Sequence, residues 1–239
     1  MIWWMIATIC AFFVKGLCGF ANTLVFTTIL SFGNNNINIS PVELLLGYPT
    51  NVIMAWKERK SIKWSICLPL AAMVLIGSIP GVLFLKNVDT GMIKILFGIV
   101  IVVIALEMLL RELRPQKGKQ SKVVLTIIGI LSGILCGLYG IGALLGAYLS
   151  RVTDDSHSFK ANICMVFLVE NTFRIILYCA WGIITLHILK QAVILIPFVL
   201  GGLVLGMLSS KVLDEKNVKK LVIIMLMVSG VALIINSIG

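Results

Sequence analysis

The sequence predicts an all-α, polytopic integral membrane protein made of two inverted repeats with broken or re-entrant helices, and three observations predict it. Hydrophobic residues fill 59% of the 239 positions and charged residues only 13%. A soluble domain carries about 25% charged residues. The apolar residues fall in long blocks, most of them long enough for a hydrocarbon core roughly 30 Å thick. Lys and Arg gather in a few short loops, and the two halves of the chain echo each other.

The mean hydropathy of +1.08 makes lipid the solvent for most of the chain. The formal charge of +10 would raise nucleic acid as a partner in a soluble protein. Its placement argues against that, because no soluble domain is present to carry such binding. Lys57, Arg59, Lys60 and Lys63 form one cluster, Arg111, Arg114, Lys117, Lys119 and Lys122 a second, and Lys211, Lys216, Lys219 and Lys220 a third. Such clusters mark the cytoplasmic face of a membrane protein.

The apolar blocks run approximately 2–33, 41–56, 64–85, 90–110, 123–150, 161–180, 187–210 and 218–238. Asn34 to Asn38 reads as a polar loop and Lys86 to Asp89 as a tight turn. The segment 113–122, with Pro115 and Gly118, reads as a basic linker between repeats spanning 1–112 and 123–239. Gly16 and Gly19 correspond to Gly137 and Gly140, Asn51 to Asn171, Gly77 and Gly81 to Gly202 and Gly206, and Asp89 to Asp214. Internal duplication of this kind is common in secondary transporters.

Blocks 2–33 and 123–150 exceed one span, and each is interrupted by glycine. Each is either one broken crossing, giving eight crossings and parallel repeats, or a hairpin, giving six crossings, two hairpins and inverted repeats. Loop charge favours hairpins. In that arrangement loops 57–63, 111–122, 151–160 and 211–220 lie inside and carry fifteen Lys and Arg. The outside loops 34–40, 86–89 and 181–190 then carry two.

The glycine breaks are the first candidate site, formed by Gly16, Gly19, Gly137 and Gly140. Non-helical backbone at membrane depth survives only inside protein or along a cavity. A half-helix starting there offers free N–H groups to an anion. The competing reading is close helix packing, which is the better account of Gly77/Gly81 and Gly202/Gly206.

Lys15 precedes the first break, and a cation at that depth faces a cavity or a partner unless it snorkels to the surface. Glu170 and Arg174 are spaced i, i+4 and share a helix face. They form either a self-contained ion pair or an anion-binding arginine with a proton-coupling carboxylate. Asn51 and Asn171 could donate to an oxyanion or hold helices together. Glu43, beside Pro41 and the Asn loop, reads as interfacial. His157 and His187 lack metal spacing, and the six cysteines show no C-x-x-C spacing. No metal, cofactor or catalytic set is implied, so the chain does not read as an enzyme.

Lys15-Gly16-Leu17-Cys18-Gly19-Phe20 and its echo Cys136-Gly137-Leu138-Tyr139-Gly140-Ile141-Gly142 resemble the glycine-rich repeat of the sulfite exporter family, TauE/SafE. In that family a small residue, G-x-x-G and further glycines open each half. The basic residues from Lys57 to Lys63 before Trp64, then Pro69, Gly77, Gly81 and Leu96-Phe97-Gly98, continue the resemblance over nearly the whole chain. Lys15 stands where a small residue is usual, and Ala21-Asn22-Thr23 where glycines are usual. These departures bear on the substrate more than on the fold.

The resemblance implies transport of sulfite, sulfonates or related small organic anions across the cytoplasmic membrane, driven by the proton gradient. Lys15, Gly16, Gly19, Asn22, Asn51, Gly137, Gly140, Asn171 and Arg174 are then expected to line a mid-membrane site where the two breaks meet, with Glu170 as the proton-coupling group. A channel and a non-transporting scaffold are the rival functions. No signal for an oligomeric state is present.

Overall fold

The computed structural model describes residues 2–31, 36–87, 122–140, 142–153 and 155–210, with parts of 95–110 and 212–235. All regular structure among them is helical: α1 (Ile2–Cys18), α2 (Asn22–Ser31), α3 (Asn36–Lys57), a 3-10 turn (Arg59–Ser61), α4 (Trp64–Asn87), α5 (Lys122–Tyr139), α6 (Ala143–Val152), α7 (Ser156–Ala180) and α8 (Leu186–Ser209).

Within α4, α7 and α8 lie spans of 19, 25 and 24 residues, long and apolar enough to cross a membrane, while α1 and part of α5 form shorter apolar helices. Their outer faces expose Ile76, Ile176, Val193 and Leu205. Without water to cover such surface, lipid must do so. Trp3, Trp56 and Trp64 are also exposed, and tryptophan favours the membrane–water boundary.

Block 2–33 folds back on itself. The Trp4 and Phe26 rings meet edge to face with centroids 5.7 Å apart, whereas 22 residues of straight helix would separate them by about 33 Å. The first element is therefore a hairpin of α1 and α2 and not a continuous broken span. In the second half, α5 and α6 likewise flank a break at Gly140.

The contacts between halves choose between the two repeat arrangements. Helices α3 and α7 run antiparallel: Ser40 meets Tyr178, Glu43 meets Arg174, Tyr48 meets Thr172 and Glu58 meets His157. Parallel repeats would align these two equivalent helices, so the inverted arrangement holds. It also brings loops 57–63 and 151–160 to one end, where Lys63 N donates to Asn162 Oδ1 at 3.0 Å and His157 Nδ1 lies 2.8 Å from Glu58 Oε2.

The halves interlock through glycine. Gly16 of α1 lies against the backbone of Leu203, Gly206 and Met207 in α8, and Gly202 lies against Ile9. Gly77 of α4 abuts Ile130 and Gly133 of α5, and Gly137 abuts Ser78. Residue numbers rise together in both pairs, so each is parallel. The first helix of each repeat is thus held by the fourth helix of the other. Small residues allow this backbone approach where hydrocarbon supplies no hydrophobic drive.

Two predicted boundaries shift. Helix α3 begins at Asn36 and not at residue 41, so the polar loop is shorter than the composition suggests, and Lys86 belongs to α4 and not to a turn. Side chains cap the starts of two other helices: Asp155 accepts from Ser158 N at 2.7 Å, and Thr185 from Ile188 N at 3.4 Å. Asn34, Asn35, Asp89, Leu96-Phe97, Lys211, Asp214, Lys216, Lys219 and residues 113–121 of the linker lie outside the described residues.

Two outcomes are expected. Gly77→Ala and Gly206→Ala, which drive a methyl into neighbouring backbone, destabilise the protein by about 1–3 kcal/mol each and so lower the thermal unfolding midpoint in detergent. Gly201→Ala, with nothing within 4 Å, leaves it nearly unchanged. Cysteines placed at Lys60 and His157 are labelled by an impermeant maleimide from the same membrane side; labelling from opposite sides would restore the eight-crossing arrangement.

Candidate functional site

The charges buried among the described residues are Lys15, Glu43, Glu170 and Arg174, each between 1% and 3% exposed. They come from α1, α3 and α7 and lie in one connected region. Two cations and two carboxylates make that region neutral when all are ionised. Neutrality is what burial demands, since an unmatched charge inside hydrocarbon is costly.

Arg174 is the hub. Its Nη1 donates to the Cys136 carbonyl at the end of α5 and stands 3.6 Å from Glu170 Oε1, while Nη2 stands 3.9 Å from Glu43 Oε2. Its guanidinium lies 5.7 Å from the Tyr178 ring centroid, and Tyr178 Oη in turn bonds Ser40 Oγ at 3.2 Å. The i, i+4 pairing with Glu170 expected from spacing is present, but the arginine is shared with a second carboxylate from the other half.

The break at Gly140 makes room for that arginine. Gly140 has φ +71°, and a Cβ there would stand 2.7 Å from both terminal nitrogens of Arg174. Its N–H donates to Cys136 O at 2.6 Å, closing the last turn of α5. The first break is built alike: Gly19 has φ +90° and donates to Lys15 O at 2.7 Å. Ala21 follows at φ +70°, in a region few non-glycine residues adopt.

The expectation that the breaks meet at mid-membrane is not met. Gly19 sits against Lys160, with Cys164 Sγ 3.6 Å from its carbonyl, whereas Gly140 sits against Arg174. Cys164 and Arg174 are ten residues apart on α7, about 15 Å of rise. The physical reason is length. Helices α1 and α5 have 17 and 18 residues, about 26 Å each, so each passes the centre before it breaks.

Between the breaks, Gly47 of α3 occupies the middle of the polar region. Its carbonyl accepts from Lys15 Nζ at 3.4 Å and from Thr50 Oγ1 at 2.6 Å. A Cβ at Gly47 would lie 3.3 Å from Glu43 Oε1, 3.5 Å from Asn22 Nδ2 and 4.0 Å from Asn171 Nδ2. Glycine therefore lets three polar ends close in around α3 where a Cβ would crowd Glu43. Asn51, one turn further along α3, is buried with its Oδ1 unpaired.

The residues singled out from sequence divide into three groups. Lys15, Asn22, Asn171, Glu170 and Arg174 join the polar region, and Gly19 and Gly140 form the breaks. Gly16 and Gly137 sit at helix crossings against Gly206 and Ser78. Glu43 is a correction: it is buried, not interfacial, because α3 starts five residues earlier than composition suggests and carries it two turns inward. Gly47 has no signal in the sequence, and Thr23, noted there only as a departure from the family's glycines, also joins the region. An acid inside Pro41-Val42-Glu43-Leu44-Leu45-Leu46 was the available signal for Glu43. No group of three or more His, Cys, Asp or Glu able to hold a metal occurs among the described residues.

Charged side chains meeting between broken helices, inside a shell of lipid-facing helices, define the class: a polytopic integral membrane protein with a buried polar region. Residues 4–233 match the family described as sulfite exporter TauE/SafE, and the chain belongs to that family. Membership implies movement of sulfite or related anions across a membrane. No curated protein and no solved structure matches the chain.

Gly47→Ala tests this close approach. Alanine is the better helix former by about 1 kcal/mol, so the variant is expected to keep its melting temperature while substrate flux drops at least about tenfold. Equal flux in variant and parent would remove Gly47 from the site.

Proposed function

We propose that this chain is a proton-coupled secondary carrier for sulfite or a chemically related small oxyanion in the cytoplasmic membrane, working by alternating access. The observation that carries the reading is the balance of buried charge. Lys15 and Arg174 attract an anion, but Glu43 and Glu170 already neutralise them, so an entering anion leaves the region one charge too negative. A proton arriving with the anion removes that cost.

Glu170 is the group suited to accept it. Neither of its carboxylate oxygens has a hydrogen-bond donor, and its nearest cation nitrogen is 3.6 Å away. Protonation would also weaken its hold on Arg174 and free the guanidinium for substrate. Asn171 and Asn51 supply further amide groups along the path, and the breaks at Gly19 and Gly140 give the hairpins somewhere to flex. The moving units follow from the interlock: the α1–α8 and α4–α5 pairs rock about α3 and α7, which join repeats 1–112 and 123–239.

Proteoliposome flux tests this. Sulfite uptake is expected to saturate, to show counterflow, and to accelerate under an imposed pH gradient. Lys15→Met and Arg174→Met are expected to abolish it. In Glu170→Gln, exchange is expected to persist while the response to the gradient disappears. Flux without counterflow would indicate a channel. No flux of any small anion from folded protein would indicate a scaffold.

A further inference from the structure

The start of α2 is already occupied. Asn22 and Thr23 are its first two residues, and both side chains donate to Glu43: Asn22 Nδ2 to Oε1, and Thr23 Oγ1 to Oε1 at 2.8 Å. The first N–H groups of any helix have no partner within it, and its N-terminus favours negative charge. The donors that hold Glu43 are these two side chains, set at a helix end that favours negative charge, and the anion they hold is the chain's own carboxylate. The other Glu43 oxygen faces Arg174 at 3.9 Å.

We infer that Glu43 is a tethered internal anion that holds the substrate's place, so that sulfite binds by displacing its carboxylate from Asn22 and Thr23. The inference rests on the carrier reading above and deepens it by naming the group that sets affinity. Carboxylate and sulfite present the same feature to these donors: anionic oxygens able to accept from an amide N–H and a hydroxyl. Glu43 has somewhere to go, since Arg174 is within reach of its second oxygen. Gly47 keeps the side of Glu43 Oε1 free of any side chain, since a Cβ there would press on it at 3.3 Å.

Displacement has a functional logic. A site holding two cations open to an anion would bind it too tightly to release it. An internal competitor weakens binding and speeds release, because it refills the donors as the substrate leaves. Glu43 and Glu170 thus have different tasks. Glu43 is held by two donors and competes; Glu170 has none and takes the proton.

The test is sulfite counterflow in proteoliposomes at one fixed pH, comparing the parent protein with Glu43→Gln. The glutamine carbonyl still accepts from Asn22 and Thr23, but it competes without charge. Half-saturation is expected at a sulfite concentration about tenfold lower or less, with a slower maximal exchange rate. Thermal stabilisation of the detergent-solubilised variant by sulfite should show the same gain. Unchanged or weaker half-saturation, with the parent active, overturns the inference and leaves the carrier reading intact. A parent without sulfite exchange, together with no stabilisation of either protein, overturns both. Should the glutamine variant fail to fold, Glu43→Asp, whose carboxylate is one methylene shorter, must shift half-saturation in the same direction, and an unchanged value would overturn the inference equally.

Discussion

Hydrocarbon does not solvate charge, and the arrangement of this protein follows from that constraint. Lys15 and Arg174 can sit at depth only because Glu43 and Glu170 sit with them, and those four side chains come from three helices and both halves of the chain. Bringing them together fixes the antiparallel alignment of α3 and α7 and the level at which each hairpin breaks. The backbone obeys the same rule. At each break the glycine N–H is taken up by a carbonyl four residues earlier, Lys15 in one half and Cys136 in the other. Arg174 then supplies a further donor to Cys136. A break of this kind in lipid would leave polar groups unpaired; here protein covers them.

Much of the fold was legible in sequence because a membrane imposes long-range order on composition. Blocks of apolar residues mark the spans, loop charge marks the sides, and the recurrence of Gly16/Gly19 as Gly137/Gly140 marks the repeat. What composition could not place was depth. Glu43 lies close in sequence to the polar Asn run, and a reading that stops the loop at residue 40 puts it at the surface. The helix instead starts within the Asn run at Asn36. Asparagine is a poor helix former, so propensity argued for loop, and tertiary packing decided otherwise.

The site was legible in part for a related reason. The spacing of Glu170 and Arg174 shows that they share a face, since one helix determines both positions. Nothing local shows that Arg174 also reaches Glu43 and Cys136, because the first contact crosses between the repeats and the second joins two different helices of the same repeat. Gly47 was overlooked because glycine in an apolar helix usually means packing; its neighbours, all polar and from three helices, become visible only in three dimensions. Gly16 and Gly137 illustrate the converse, with a conspicuous motif whose first glycine serves helix contact.

The exchange of partners between α1–α8 and α4–α5 bears on how such a chain could arise. A single repeat on its own would present the Gly16 face, or the Gly77 face, to lipid with nothing to close against it. It could cover that face only with the complementary helix of a second copy, and that copy would have to lie upside down in the membrane. Two copies of a half-length chain could close these faces only by lying in opposite orientations, as an antiparallel dimer. Joined in one chain, the two breaks need not be alike, and they carry Lys15 in one half and Cys136 at the equivalent position of the other.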